Sequence, residues 1–211
     1  MVAELFSASV ERAREVGLLK QDRAQDKTRL ASCDSTGMEA GHVSHYFTRR
    51  TGRKQRKFPK FWAVVAAATH VCLGMVPGTG PSPDDPQFHR VARQAHAREK
   101  FAALAADVGF DGEDHQRFLY EKLDGVIGVI PPERGRPRKS KKNRRSGFFR
   151  TFIHEHWPKN LYGQRWQVET FFSMLKRLLD SFVRAMNWRS QHREMCLKVL
   201  TLNLMLITAA R

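Results

Sequence analysis

Tyr162-Gly-Gln-Arg165-Trp-Gln-Val-Glu169-Thr-Phe-Phe-Ser-Met-Leu-Lys176 is an apolar segment carrying four polar, chemically capable side chains at helical spacing. At about 100° per residue, Arg165, Glu169 and Lys176 fall within roughly 60° of Tyr162 around a helix axis. Phe171, Met174, Leu175, Leu178 and Leu179 project to the other side. Such a helix offers a carboxylate between a guanidinium and an ammonium on one stripe and anchors itself by the other. The same Arg165 and Glu169 spacing also makes an ordinary surface ion pair, worth a few tenths of a kcal/mol. What decides between the two readings is whether further carboxylates stand upstream in suitable strand contexts.

Two do. Leu30-Ala-Ser-Cys-Asp34-Ser-Thr-Gly37 is a short run of small and apolar residues closed by turn formers. It reads as a buried strand whose end delivers Asp34 to a cleft, although aspartate is also a common turn or cap residue. Phe101-Ala-Ala-Leu-Ala-Ala-Asp107-Val-Gly-Phe-Asp111-Gly repeats the arrangement. Asp111 is expected at the N-cap of a helix from about Glu113 to Leu123, so Asp111 and Asp114 rank below Asp107 as candidate ligands. Three carboxylates suit magnesium, which takes few acidic ligands and keeps waters and substrate phosphate oxygens. His154-Glu155-His156 is a weaker metal candidate, because residues two apart do not share a helix face.

These three elements together resemble the bacterial insertion-sequence DDE transposases that carry a Tyr-Arg-Glu-Lys signature. The Asp-Ser-Thr-Gly at Asp34 and the Ala-Asp-x-Gly-x-Asp at Asp107 are similar to the family's first two acidic elements, with Phe110 where tyrosine is usual. The resemblance implies Asp34, Asp107 and Glu169 as catalytic, metal-binding acids. It implies magnesium, with manganese as a substitute, for cleavage at element ends and strand transfer. Arg165 and Lys176 would hold DNA phosphates and Tyr162 would position the strand. The implied partner is double-stranded DNA, bound by a homodimer.

Charge agrees with a polyanion partner. Lys and Arg number 37 against 21 Asp and Glu, a formal net charge of +16. Eight of the twelve residues Arg134 to Arg145 are basic: Arg134, Arg136, Arg138, Lys139, Lys141, Lys142, Arg144 and Arg145. Flanked by Pro and Gly, this run reads as a loop that neutralises phosphates by charge rather than shape. A second basic run extends from Arg49 to Lys60. Cys33, Cys72 and Cys196 are too few and scattered for a disulfide framework. No signal pattern opens the chain, and no stretch approaches the length of a membrane span. The expected setting is therefore soluble, cytoplasmic and nucleoid-associated.

The expected element order is a helix over Glu4 to Leu19, a strand over Leu30 to Asp34, and a hairpin segment near Tyr46 and Phe47. Strands follow over Phe61 to Thr69 and Val71 to Val76, then a helix from Asp84 and Asp85 to about Lys100. Phe101 to Asp107 is the next strand, Glu113 to Leu123 a helix and Gly125 to Ile130 a strand stopped by Pro131. The helix at Glu169 and a final helix over Gln191 to Ala210 complete the chain. This order predicts an α/β protein of ribonuclease H-like type, a mixed β-sheet flanked by α-helices. The resemblance implies that its two aspartates end neighbouring strands, with the glutamate helix beside them. Residues 1–29 are expected as a short helical segment, 30–185 as the catalytic core and 186–211 as a C-terminal helix packed on it. Few residues precede Asp34, which suggests a core without an N-terminal DNA-binding region. A truncated, catalytically idle remnant that only binds DNA is the alternative.

Overall fold

The computed structural model describes residues 2–20, 29–40, 57–132 and 147–210. The hairpin expected at Tyr46 and Phe47, most of the basic run from Arg49, and the whole run from Arg134 to Arg145 lie outside them. The strands are β1 (Leu30–Gly37), β2 (Phe58–Ala66), β3 (Cys72–Gly80), β4 (Ala103–Ala106) and β5 (Ile127–Val129). They form one sheet in the order β3-β2-β1-β4-β5. The first three pair antiparallel, and β1, β4 and β5 pair parallel. The sheet is mixed, as the element order predicted.

The helices are α1 (Val2–Glu15), α2 (Asp85–Arg98), α3 (Glu113–Lys122), α4 (Phe148–Glu155), α5 (Lys159–Tyr162), α6 (Gln167–Leu179) and α7 (Trp188–Ala209). On one face α2 lays Phe88, Val91 and Ala95, all fully buried, over β2 and β3. Gly74 lets it approach: a Cβ there would stand 2.7 Å from the Val91 carbonyl oxygen and 2.9 Å from the Ala95 nitrogen. The other face receives α6, whose Val168, Phe171, Phe172 and Leu175 are buried, with Phe172 edge-on to Phe61 of β2. Behind it runs α7. Its buried Asn203 takes the amide of Cys72 and donates to that residue's carbonyl, both at 2.9 Å.

Several sequence expectations are corrected. β1 does not stop at Asp34 but continues to Gly37, because β2 pairs with it throughout. β3 runs through Pro77, which a sheet-edge strand tolerates. α1 stops at Glu15, and Gly17 at φ +84° turns the chain into a 3-10 turn at Leu18–Lys20. Leu5, Leu178, Leu197 and Leu204 keep the helical apolar spacing but are 47–56% exposed. The N-cap of α3 is Gly112, not Asp111. Asp111 instead accepts from Arg150 of α4, through Nε at 2.9 Å and through Nη2, in a pair whose side chains are 4% and 14% exposed.

Candidate active site

Asp34 enters the site from β1. Its strand stays paired with β2 to Gly37, but pairing with β4 stops where Cys33 meets Ala106. β4 ends there. Asp34 and Asp107 therefore follow directly on the last paired residues of two adjacent parallel strands. Each gives one oxygen to the next residue's amide: Ser35 N–H donates to Asp34 Oδ1 at 2.7 Å, and Val108 N–H to Asp107 Oδ1 at 2.8 Å. Asp107 is itself the cap of the 3-10 turn Val108–Phe110 and is exposed. Asp34 is more enclosed, with 23% of its side chain exposed.

Glu169 comes from α6, which is tied to β1 at both ends. Ser32 Oγ donates to the Gln164 carbonyl at 3.2 Å ahead of the helix, and the Glu39 amide donates to the Ser181 carbonyl at 2.9 Å beyond it. Between these ties strand and helix run in the same direction. From Ser32 to Asp34, two strand steps cover ~7 Å. The five steps from Gln164 to Glu169, three through a turn bonded i to i+3 and two in the helix, cover ~9 Å. Asp34 and Glu169 thus stand at nearly the same height. Lys198 fixes the far end, its Nζ donating to the carbonyls of Leu179, Asp180 and Phe182 at 2.7, 2.9 and 2.8 Å.

Arg165 stands between the two acids. Its Nη2 donates to Glu169 Oε1 at 2.6 Å, and its Nη1 lies 3.9 Å from Asp34 Oδ2. The expected single stripe is broken at this point: Tyr162 ends the short α5, Arg165 lies in the turn that follows, and α6 begins at Gln167. The break lets the guanidinium reach back to β1 instead of pointing along the helix. His70, in the turn between β2 and β3, steadies this junction through Gln167 Oε1 at 2.6 Å from its Nε2.

Burial pushes the Asp34 carboxyl up to about 6; the Ser35 amide and Arg165 pull it back in part, and the charges of Asp84 and Asp107 add to the rise. Burial works against the Arg165 cation, yet the bond and charge of Glu169, with the charges of Asp107 and Tyr162, hold its pKa above the ordinary value. Among the described residues, no three His, Cys, Asp or Glu side chains are gathered to hold a metal ion as they stand. The donor chemistry nevertheless suits a hard cation. Carboxylates come from separate elements, the pKa of one of them is raised first by burial and then by negative neighbours, and a guanidinium is already drawn between two of them.

Other expected site residues are less central. Tyr162 is half-buried, its ring 5.0 Å from that of Trp157 and packed beside Leu30, Ala103 and Val129. Lys176 is half-buried two turns beyond Glu169. Lys60, expected in a basic DNA-facing run, is only 13% exposed and pairs with Asp84 at 2.7 Å. Asp84 was expected only as a helix start, and no local pattern marks it otherwise. It adopts helical backbone angles but makes no capping bond with its side chain, which accepts from Lys60 and from Trp62 Nε1 at 2.7 Å and from Ser35.

A family model described as a transposase DDE domain matches residues 25–204. The chain belongs to that family. Its mixed sheet with flanking helices is the ribonuclease H-like α/β fold of such a domain, and the match covers every strand. As a transposase, the protein belongs to the machinery of DNA recombination and transposition of insertion sequences, and its family implies DNA binding. Transposases of this family use divalent metal ions. No curated protein and no solved structure matches the chain. Among the described residues, no helix of the transposase is long and apolar enough to cross a membrane.

Proposed function

We propose that this transposase cleaves phosphodiester bonds at the ends of its element and joins the freed 3′-hydroxyl to target DNA, with Asp34, Asp107 and Glu169 as the acids that hold magnesium. The observation that carries this reading is the placement of Asp34 and Asp107 one residue beyond the last paired residues of adjacent parallel strands, together with Arg165 shared between Asp34 and Glu169. When bound there, magnesium would activate the attacking oxygen and stabilise the leaving oxygen. Manganese would serve in its place.

The chain's own residues do the rest. Asp34 and Asp107 are held by the amides of Ser35 and Val108, which orient one oxygen of each. Arg165, freed from its acids when they take a cation, would turn its guanidinium to a DNA phosphate, a geometry for which its fork of donors is suited. Lys176 would contact a phosphate farther along the same helix, and Tyr162 would position the strand. The run from Arg134 to Arg145 would supply salt-sensitive affinity by counterion release. Two chains acting on two element ends would form a homodimer on DNA, in the nucleoid of the cytoplasm.

Glu169→Gln tests the proposal, because it preserves size and helix propensity and removes the charge that attracts a cation. Magnesium-dependent cleavage of DNA bearing the element's own ends should collapse in the variant while DNA binding persists, since phosphate contacts by Lys and Arg do not need that carboxylate. Equal cleavage by parent and variant would remove Glu169 from the catalytic set. No cleavage by either on authentic ends would favour the idle remnant.

A further inference from the structure

Ser35 stands between two acids on opposite faces of β1. Alternation along the strand sends Ser32 and Asp34 toward the turn before α6 and sends Cys33 and Ser35 to the face covered by α2. The backbone N–H of Ser35 donates to Asp34 Oδ1 on the first side. Its hydroxyl donates to Asp84 on the second. Asp84 is in turn fixed by the Trp62 indole and by Lys60, whose ammonium also lies 5.0 Å from the Trp62 ring centroid and donates to the Ser82 carbonyl at 2.8 Å. Trp62 is the register partner of Ser35 across the sheet and is itself 1% exposed. Lys60, Trp62 and Asp84 therefore form a stiff bracket that grips the one residue whose amide orients Asp34.

We propose that Asp84 is a positioning residue of the active site: through Ser35 it fixes the Asp34 carboxylate from behind the strand. This role rests on the reading of Asp34 as a metal-holding acid. Asp84 touches neither the reacting atoms nor the cation. Its hydrogen bonds are what give it this position. A residue serving only to start α2 would aim its carboxylate at the first free amides of that helix, and Asp84 does not. Burial opposes its ionisation, but the bonds from Lys60, Ser35 and Trp62 outweigh burial and hold its pKa below the ordinary value. It is therefore a fixed, charged acceptor at neutral pH.

The test is Mn2+ binding to the full chain without DNA, read from loss of the free-ion EPR signal. Parent, Asp34→Asn, Ser35→Ala, Asp84→Ala and Asp84→Asn would be compared, with far-UV circular dichroism and thermal midpoints alongside. Ser35→Ala removes only the hydroxyl and leaves the β1–β2 ladder intact. Ser35→Ala and Asp84→Ala should each weaken Mn2+ binding roughly tenfold, the usual cost of losing a group that orients a ligand. Asp84→Asn keeps an acceptor for the indole and a partner for the hydroxyl, and should stay within about threefold of the parent on the same scale. Parent-like binding by Ser35→Ala and Asp84→Ala, with Asp34→Asn strongly impaired, would overturn the positioning role and leave the metal site standing. So would Asp84→Asn binding as weakly as Asp84→Ala, because placement would then not be what Asp84 supplies. Undiminished binding by Asp34→Asn would remove both the metal role of Asp34 and the role of Asp84 behind it.

Discussion

In metal-free, chelated buffer Asp34 should be a source of instability that grows with pH, and Asp34→Asn should reverse it. The groups that act on Asp34 are Ser35 on its own strand, Arg165 from the turn before α6, Asp107 beyond β4 and, by its charge from the other side of β1, Asp84 ahead of α2. Burial dominates and the two acids outbid part of what Arg165 and the Ser35 amide restore, so the folded-state pKa is about 6 against an ordinary 3.8. A raised carboxylate pKa means that the folded state binds its proton more tightly than the unfolded state. Stability is then highest below pH 3.8, falls as pH rises through the window from 3.8 to about 6, and carries the full penalty above it. At 1.36 kcal/mol per tenfold change in proton affinity, that penalty is about 3 kcal/mol.

Asparagine has the same shape and no charge to bury. The variant should be more stable than the parent at pH 7.5 by up to about 3 kcal/mol, a figure from which the attraction to Arg165 has already been taken. The gain should shrink as pH falls and vanish near pH 4. Urea melts of parent and variant at half-unit pH steps, with the slopes checked for equality, measure this difference directly. Parallel stability curves for the two proteins between pH 4 and 7 would refute the reasoning, as would a parent more stable than the variant at neutral pH.

Two other sites give sharp expectations. Arg150→Met should lower stability by roughly 3 kcal/mol, because it takes a cation away from the nearly buried Asp111 carboxylate; a loss under about 1 kcal/mol in a urea melt would mean that solvent screens the pair. Gly74→Ala should cost roughly 1–3 kcal/mol, since its Cβ would press on the main chain of α2 at Val91 and Ala95 and not on a flexible side-chain end. An unchanged midpoint would show that α2 can lift off β3 without penalty.

The strand-end positions of Asp34 and Asp107 and the helical position of Glu169 were legible in the sequence, and their surroundings were not. Small apolar runs ending in aspartate marked β1 and β4, since buried strands between helices have that composition. Which strands would be neighbours was not readable: pairing of β1 with β4 skips two intervening strands and is decided by packing. The helix carrying Glu169 was visible from its apolar spacing, but Arg165 was assigned to the same stripe because periodicity cannot register a turn that keeps near-helical angles at Gly163 and Trp166. Asp111 looked like a cap by local rules, and a cation from α4 claimed it instead. Asp84 shows the same limit from the other direction. Asp-Asp-Pro is a correct helix-start signal, yet the partners that define the side chain, Lys60, Trp62 and Ser35, lie one or two strands away.

The placement of Arg165 follows from the cost of gathering acids. Asp34 and Asp107 sit beside each other because their strands are hydrogen-bonded neighbours, and α6 is set at the height of Asp34 by the Ser32 and Glu39 ties, so the fold itself concentrates negative charge there. The elevated Asp34 pKa comes first from burial of the carboxylate, and the charges of Asp84 and Asp107 add to it even with Arg165 in place. A guanidinium 3.9 Å from one acid and 2.6 Å from the other offsets part of that cost, from a turn rather than from within α6. A compact divalent cation would relieve more, because it places twice the charge closer to the carboxylate oxygens. The instability expected of Asp34 and the metal-holding role proposed for it therefore have a single origin: a carboxylate held where the fold alone does not satisfy it.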